Sequence, residues 1–395
     1  MDVNVDTEAA ASELFQLSFG TQPTLVAQAS NEYREGTSQA RISCPQSNFL
    51  KGCKWSPDGA CLLTASEDKW LRVYDLPPDC LESQSGVQST SAQEELSPAL
   101  RIFGNELIYD YAWYPGMVAS EPSTCVLAST TRGQPLHLWD AYTGHQRATY
   151  RAYDQVDEVE AAYSLAFTPD GARILAGYRK RICIFDLARP GRDSWNLMTY
   201  QRKQEGLPGI VSCMACNPDR SSMVAAGAYS GTAALYALDS QELLVLLQGH
   251  RGGLTQVSFS PDGNFLYTGA RRDPDIHCWD VRYTSGVVYS LQRDTSTTNQ
   301  RVGFDIEPCG RHLATGGQDG KVKAFDLTTG QLAAEYRAAA DTVNGLACHP
   351  CLPLVATASG HRRLAPLDSD DDDEMQSNVS VQKIQGKIQR LALIA

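Results

Sequence analysis

The sequence lacks two features that mark large classes of protein: long apolar runs and phosphate-binding loops. No stretch approaches the roughly 20 apolar residues of a membrane-spanning helix, so we expect no contact with a membrane. There is no G-x-x-x-x-G-K-S/T segment, and no G-x-G-x-x-G segment between a strand and a helix. Such loops cradle nucleotide phosphates in many enzymes. Their absence argues against a nucleotide-dependent catalyst.

The chain also lacks a secretion signal and a complete metal-binding motif. Its first residues are acidic, without the basic-then-apolar order of a signal peptide, so its 12 cysteines are expected to be reduced thiols. Cys213 with Cys216, and Cys348 with Cys351, have the spacing of metal ligands. The two pairs lie far apart along the chain, whereas a structural zinc ion needs four convergent ligands. We therefore expect no metal, no cofactor and no enzyme activity.

Negative charge is abundant but unevenly distributed. Residues 1–40, 78–98 and 368–374 together carry a net charge of −15 in a chain of net charge −12, so the remainder is mildly basic at +3. Acidic, polar segments of this kind are usually solvated and disordered. We predict a disordered acidic N-terminus over residues 1–23 and an acidic insertion near 366–380.

A motif that occurs seven times dominates the rest of the chain. In each copy a strand-like segment meets a turn with proline, and the turn prolines are Pro57, Pro115, Pro169, Pro218, Pro261, Pro308 and Pro350. Five copies end in an aromatic residue followed by aspartate: Tyr74-Asp75, Trp139-Asp140, Phe185-Asp186, Trp279-Asp280 and Phe325-Asp326. This period and ending resemble the WD-repeat β-propeller, with one four-stranded blade per repeat. The pattern predicts an all-β, seven-bladed propeller over residues 24–395, a fold that usually serves as a binding platform.

The last repeat is irregular, and its irregularity suggests how the ring closes. The segment 388–394 is predicted to be the third strand of blade 7, and Thr24–Ser30 the fourth, so that no strand edge stays unpaired. The alternative is a short amphipathic helix near the C-terminus, because Ile384, Ile388 and Leu391 also fit helical spacing.

Blade 5 carries the full WD-repeat pattern. His250, Thr268, Asp273 and Trp279 match the positions that form a buried hydrogen-bond chain in that family. Because buried polar groups must be satisfied within the fold, we interpret these four residues as structural and not catalytic.

Several segments resemble one particular WD-repeat family, that of the telomerase Cajal body proteins. They are Asn48–Trp55, Ile108–Tyr114, Ala188–Asp193, Gly269–Asp273, Thr297–Arg301 and Leu354–Gly360. Loops vary most within a fold, so similarity in loops is the stronger signal. The resemblance implies a nuclear, non-catalytic, RNA-binding scaffold of Cajal bodies. Its ligands would be the CAB-box loop of small Cajal body H/ACA RNAs, and telomerase RNA where that RNA carries the element. Its protein partners would be H/ACA core proteins including dyskerin, together with Cajal body components.

The propeller topology places many of the basic residues on one face, which makes that implication testable. Loops that join blades, and turns between second and third strands, share this face. The predicted RNA-binding residues there are Lys51, Tyr109, Arg179, Lys180, Arg181, Arg271, Arg272, Asn299, Gln300 and Arg301. Bases stack on aromatic or guanidinium planes, amides read base edges, and basic groups hold phosphates. Acidic residues within 154–160 fall on the same face, so we expect the positive charge to lie near blades 4 to 6.

Two alternatives stay open at this stage. Arg271 and Arg272 would also be explained by salt bridges across a blade turn, and Asn299 and Gln300 by loop capping. The whole chain would also be explained as a protein-only adaptor, such as a substrate receptor of a cullin ubiquitin ligase. The short motif Trp279-Asp280-Val281-Arg282 matches that reading, although many WD-repeat blades carry the motif for structural reasons.

Overall fold

The computed structural model describes residues 17–19, 22–31, 48–78, 80, 94–201, 205–219, 222–362, 384–390 and 392–393. The elements whose bounds the structure describes are strands. The first are β1 (Leu17–Ser18), β2 (Thr24–Asn31), β3 (Leu50–Trp55), β4 (Cys61–Ser66), β5 (Trp70–Asp75), β6 (Glu94–Glu95), β7 (Leu100–Phe103), β8 (Ile108–Trp113), β9 (Val126–Thr131), β10 (Leu136–Asp140) and β11 (Gln146–Tyr150). The next are β12 (Ala152–Tyr153), β13 (Val159–Glu160), β14 (Ser164–Phe167), β15 (Arg173–Gly177), β16 (Arg181–Asp186), β17 (Ser194–Met198), β18 (Val211–Cys216), β19 (Met223–Ala228), β20 (Thr232–Ala237), β21 (Glu242–Gln248) and β22 (Leu254–Phe259). The last are β23 (Phe265–Ala270), β24 (Asp275–Asp280), β25 (Tyr289–Gln292), β26 (Phe304–Ile306), β27 (His312–Gly316), β28 (Lys321–Asp326), β29 (Gln331–Arg337), β30 (Val343–Cys348), β31 (Leu354–Ser359), β32 (Ile384–Arg390) and β33 (Ala392–Leu393).

These strands form the seven predicted blades. Blades 1 to 6 are antiparallel sheets of four strands: β3-β4-β5-β7, β8-β9-β10-β11, β14-β15-β16-β17, β18-β19-β20-β21, β22-β23-β24-β25 and β26-β27-β28-β29. Blade 7 has the order β30-β31-β32-β2-β6. The all-β, seven-bladed propeller is therefore confirmed. Its hydrophobic core lies between neighbouring blades, where Ala128 of blade 2 and Ile174 of blade 3, for example, belong to one buried cluster.

The turn between the first two strands shows why blades 1, 3 and 5 carry the sequence Pro-Asp-Gly there. In blade 1 the Ser56 hydroxyl donates to the Asp58 carboxylate at 2.6 Å, and the Ala60 amide donates to the same oxygen at 3.1 Å. Gly59 has a φ of 78°, a conformation that costs little only for residues without a Cβ. Local side-chain hydrogen bonds of this kind define tight turns. The conformation of this turn is therefore determined largely by the residues of the turn itself.

Blade 7 joins the two ends of the chain, as the sequence predicts. β2 pairs antiparallel with β32, and β32 pairs antiparallel with β31. The C-terminal segment is thus a strand, and the helical alternative is wrong. The strand begins at Ile384 and not at residue 388, because Ile388 is needed at the centre of the sheet, opposite both Ala27 and Ala356.

Part of the segment expected to be a disordered N-terminus is ordered. Leu17 and Ser18 form β1, which pairs with β33, and the Leu17 side chain is fully buried against blades 6 and 7. Apolar burial compensates for the ordering of these residues. Residues 1–16, and the predicted acidic insertion near 366–380, lie outside the described residues.

Seven polar contacts link the first strands of successive blades around a central channel. They are Lys54 Nζ to Tyr111 O, Leu165 N to Asp110 Oδ2, Ser164 Oγ to Val211 O, Ser212 Oγ to Leu254 O, Gln256 Nε2 to Phe304 O, Cys348 N to Asp305 Oδ2, and Asn344 Nδ2 to Leu50 O. Every pair of neighbouring blades is joined once in this set. Many polar side chains of the channel wall therefore form hydrogen bonds that hold the ring together. Side chains at the ends of the channel are better placed to bind a ligand.

Candidate functional site

A cavity of about 950 Å³ opens at one end of the central channel. Loops that join blades, and turns between second and third strands, form its walls. Seven of the predicted RNA-binding residues line it: Lys51, Tyr109, Arg271, Arg272, Asn299, Gln300 and Arg301. Five basic and three acidic side chains line the cavity in all. We call this cavity the channel mouth.

The basic turn of blade 3 does not reach the channel mouth. Arg179, Lys180 and Arg181 are absent from the residues that line it. The Arg181 guanidinium donates to Tyr153 O at 2.8 Å and to Glu160 at 2.6 Å. Both partners belong to the hairpin β12–β13, which carries the acidic residues that the sequence places near blade 3. The structure therefore separates the ten predicted residues into two groups, one of which surrounds the cavity.

Arg271 lies in the wall of the channel mouth beside an aromatic ring. Its guanidinium carbon is 5.4 Å from the centre of the Tyr229 ring, and its Nη2 donates to the Tyr229 hydroxyl at 3.3 Å. Nη1 contacts the backbone oxygen of Asn299. Burial lowers the pKa of the Arg271 guanidinium, yet no carboxylate is paired with it in the described residues. The alternative of a simple salt bridge across the turn thus does not account for Arg271.

Arg272 is exposed and held in an unusual backbone conformation. Its φ is 52°, and its amide donates to Thr298 O at 3.1 Å. Left-handed backbone is uncommon for residues other than glycine and carries a free-energy cost. The bond to the blade 5–6 loop holds this conformation, which places a solvent-exposed guanidinium at the edge of the channel mouth.

Arg301 crosses the channel. Although it precedes blade 6, its Nη1 donates to Tyr109 O of blade 2 at 2.9 Å and its Nη2 to Ser212 O of blade 4 at 2.5 Å. It also lines a second cavity of about 490 Å³ on the other side, further along the channel. Arg301 therefore forms a cationic floor between the two cavities.

Lys51 and Gln300 have partners inside the wall. Lys51 Nζ is 2.9 Å from Glu67 Oε2, and burial lowers its pKa. Gln300 Nε2 donates to Asn344 Oδ1 at 3.1 Å and to Gly360 O at 3.3 Å. The expected loop-capping role thus describes Gln300 well, whereas the Asn299 side chain is exposed to the cavity.

Aromatic residues make up more of the channel mouth than the sequence indicates. Tyr109 stacks on Tyr163, with ring centres 5.5 Å apart and planes 24° apart, and Tyr229 is 49% exposed. Tyr178, which directly follows the second strand of blade 3, is by contrast fully buried in the cluster between blades 2 and 3. It therefore does not line the channel mouth.

The sequence does contain a signal for the missed tyrosine. Tyr229 directly follows the second strand of its blade, and Arg271 and Glu67 hold the same position in blades 5 and 1. The amides of all three donate to equivalent backbone oxygens of the preceding blade-joining loops. Tyr178 holds the same position in blade 3 and is buried, so the comparison across repeats makes Tyr229 a candidate, and only the packing between blades decides that it lines the cavity.

The blade 5 residues that resemble a polar site form a closed hydrogen-bond chain. Trp279 Nε1 donates to the Thr268 hydroxyl at 2.9 Å, and His250 lies 2.8 Å from that hydroxyl and 2.9 Å from the Asp273 carboxylate. A single set of protons satisfies every atom: tryptophan to threonine, threonine to histidine Nε2, and histidine Nδ1 to aspartate. His250 and Asp273 also approach His277 closely enough for a metal ion, but both His250 nitrogens are already in use.

The Cys213 and Cys216 thiols and the Trp-Asp-x-Arg motif likewise have structural explanations within their own blades. Burial raises the pKa of the Cys213 and Cys216 thiols to about 12, so the thiolate that binds zinc is disfavoured. Arg282 forms a two-pronged pair with Asp280, at 3.0 Å from Nε and 2.9 Å from Nη2.

Within the described residues no helix is long and apolar enough to cross a membrane.

Comparison with known proteins agrees with this architecture. The family described as WD domain, G-beta repeat, matches residues 36–75, 241–280 and 289–326. Telomerase Cajal body protein 1 of Mus musculus is 42% identical over 348 residues, which are 86% of this chain and 64% of that protein. The Drosophila melanogaster homolog of the same protein is 35% identical over 82% of this chain and 59% of its own length. Guanine nucleotide-binding protein negative regulator 1 of Schizosaccharomyces pombe is 31% identical, over 70% of each chain.

The fold and the repeat matches together define a WD-repeat β-propeller, a class of scaffold proteins. Within that class the chain belongs to the family of telomerase Cajal body protein 1, which the mouse and fly relatives represent. The chain spans a little under two thirds of the length of the mouse and fly relatives.

Proposed function

We propose that this protein is a non-catalytic, RNA-binding scaffold that holds an unpaired RNA loop in the channel mouth. The observation that carries the proposal is the convergence of Lys51, Tyr109, Arg271, Arg272, Asn299, Gln300 and Arg301 at one cavity. Single-stranded RNA is recognised by surfaces that combine positive charge, aromatic planes and amide groups. All three kinds of group line the channel mouth.

The names of the relatives give the proposal a cellular setting. The mouse and fly proteins are named for telomerase and for the Cajal body. We accordingly propose a nuclear protein of Cajal bodies whose ligands are small Cajal body RNAs with a CAB-box loop, and telomerase RNA where it carries the element. H/ACA core proteins, including dyskerin, would then be partners in the same particle.

The proposal is tested by measuring how the purified protein binds two RNA hairpins that differ only in the terminal loop. One hairpin carries the CAB-box loop and the other a scrambled loop of the same length. We expect tighter binding of the first at physiological salt, with an affinity that falls steeply as salt rises, because phosphate contacts release counterions. Equal affinity for both hairpins would contradict the proposal.

Crosslinking in cells, followed by sequencing of the bound RNA, distinguishes the scaffold from a protein-only adaptor. Enrichment of H/ACA-type RNAs with crosslinks in a terminal loop is the expected result. Background RNA alone, with a ubiquitin-ligase adaptor in the same pull-down that is lost on Arg282→Ala, would favour the adaptor. The Arg282 side chain is half exposed but already paired with Asp280, which gives the adaptor no additional support.

A further inference from the structure

The wall of the channel mouth contains an aromatic feature that charge alone does not explain. Tyr229 presents about half of its surface to solvent at the cavity edge, although exposed tyrosine gains nothing from hydrophobic burial. The Arg271 guanidinium lies 5.4 Å from the ring centre. A guanidinium held over an aromatic ring offers a cationic, aromatic surface of the type that binds π systems.

Two consecutive glycines allow this pair to form. A Cβ at Gly252 would lie 1.9 Å from the backbone oxygen of Arg271, and a Cβ at Gly253 would lie 3.0 Å from Cδ1 of Tyr229. Any other residue at Gly252 would therefore displace the Arg271 backbone. The loop that joins blades 4 and 5 thus packs directly under both members of the pair, which fixes them without covering the exposed part of the tyrosine.

A second aromatic surface faces the same cavity. Tyr109 and Tyr163 stack on each other at 5.5 Å, and both line the channel mouth together with Tyr229. Below them the Arg301 guanidinium closes the channel through its bonds to Tyr109 O and Ser212 O. The cavity therefore has aromatic walls and a cationic floor, and the exposed side chain of Asn299 lines it as well.

We propose that the Tyr229–Arg271 pair is a stacking site for one unpaired nucleobase, whose edge faces the Arg301 floor and the Asn299 amide. The proposal deepens the proposed function and rests on it, because it assigns to named residues the recognition of a base as distinct from phosphate. Stacking on an aromatic ring contributes to affinity for every base, while edge contacts with the amide and guanidinium select among bases. The blade 3 turn also pairs cations with aromatic rings, but the Tyr178 ring beside Arg181 is fully buried, and the Tyr200 ring beside Lys180 does not line the cavity.

The experiment uses the full chain and the CAB-box hairpin described above, with 2-aminopurine placed at each unpaired loop position in turn. Stacking on an aromatic ring quenches the fluorescence of this base analogue. We expect the wild-type protein to quench one position, and Tyr229→Leu to relieve that quenching and to weaken binding about 10-fold. The salt dependence of binding should not change, because tyrosine carries no charge to exchange with counterions.

Two matched variants act as controls. Tyr229→Phe keeps the ring and should bind within about 3-fold of wild type, since stacking needs the ring face and not the hydroxyl. Tyr283→Leu removes a tyrosine that is 76% exposed on blade 5 and does not line the cavity, and it should leave both readouts unchanged.

The possible failures are distinguishable. If the hairpin binds with steep salt dependence but no loop position is quenched, or if Tyr229→Leu retains full affinity, the stacking site is wrong and the proposed function stands. If the wild-type protein does not prefer the CAB-box hairpin at all, the proposed function itself fails. If Tyr229→Leu does not fold, ultraviolet crosslinking of the quenched loop position to the wild-type protein decides the question: a crosslink to Tyr229 supports the stacking site, and a crosslink confined to other residues overturns it.

Discussion

Two basic turns of this propeller look alike in sequence and differ in structure. Arg179-Lys180-Arg181 of blade 3 and Arg271-Arg272 of blade 5 both connect a second strand to a third. In blade 3 the Arg181 charge is used by Glu160 of a neighbouring hairpin. In blade 5 neither arginine meets a carboxylate among the described residues, and both line the channel mouth. Glu160 pairs with only one of the three blade 3 cations, so position at the cavity, more than pairing, is what distinguishes the two turns.

The blade 5 turn owes its availability to the buried chain of His250, Thr268, Asp273 and Trp279. Asp273 follows Arg272 directly, and its carboxylate also accepts from the Arg251 amide at 3.0 Å. The network thus anchors both the turn and the loop that precedes the blade. Its members hold the neighbouring basic residues in place.

The largest expected effect comes from removing this anchor. His250→Ala leaves the buried Asp273 carboxylate without its imidazole partner, and we expect a loss of about 3 kcal/mol in the free energy of unfolding. Chemical denaturation measures this loss. His145→Ala, in an exposed turn of blade 2, is the control and should change stability by less than about 0.5 kcal/mol. A loss as small for His250→Ala would show that the turn is not anchored in this way.

A pH titration of stability tests the polar groups that the ring uses in the channel wall. Burial raises the pKa of Asp305 to about 6, although the amides of Cys348 and Ile306 oppose the shift. An acid whose pKa is higher in the folded state than its unfolded value of about 3.9 stabilises the fold most when protonated. Its contribution is therefore greatest below about pH 4 and falls by about 2–3 kcal/mol as pH rises to about 6.

The variant Asp305→Asn isolates this contribution. We expect the difference in unfolding free energy between wild type and variant to change between about pH 4 and pH 6, and to stay constant above that range. Asp239→Asn, at an exposed position, is the control and should leave the pH profile unchanged. A pH profile that is identical for wild type and Asp305→Asn would contradict the account.

The difference between the two turns is tested most directly by removing the charge from one turn at a time. Arg271→Gln with Arg272→Gln should weaken binding of the CAB-box hairpin about 30-fold, which is about 2 kcal/mol. Each lost phosphate contact should also lower the slope of affinity against salt by about 0.7. Arg179→Gln with Lys180→Gln removes two charges from the blade 3 turn and should change affinity less than about 3-fold, since these residues lie outside the cavity. Equal losses from the two double variants would remove the distinction between the turns.

The smallest expected effect belongs to Arg181. Arg181→Gln breaks a partly exposed ion pair with Glu160 at 2.6 Å, and such pairs contribute at most about 1 kcal/mol to stability. We expect a small fall in unfolding free energy and no change in RNA affinity. A large fall in affinity at unchanged stability would instead show that RNA reaches the blade 3 turn.

Local patterns in the sequence were sufficient to predict most of the fold. The Pro-Asp-Gly turns and the alternation within strands are properties of short segments, and the closure of blade 7 by Thr24–Asn31 follows from the need to pair the last edge. The register of β32 was not predictable, because Ile384 and Ile388 both fit a strand and only the partners Ala27 and Ala356 decide between them.

The candidate site was predictable only in part, for a physical reason. The topology places basic residues on one face, but whether a side chain is available depends on partners from distant segments. The hairpin that holds Arg181 is two strands of two residues each, too short to leave a pattern. The burial of Tyr178 and the exposure of Tyr229 are likewise properties of packing between blades, although both residues lie beside a second strand.

The central claim is that the channel mouth, and not the blade 3 turn, contacts RNA. Ultraviolet crosslinking of the purified protein to the CAB-box hairpin, followed by mass spectrometry of the crosslinked peptides, tests it in one measurement. We expect crosslinks in peptides that contain Tyr109, Tyr229 or Asn299, with none above background in the peptide that contains Arg179 and Lys180. Crosslinks concentrated in the blade 3 peptide, or spread over the outer strands, would contradict it.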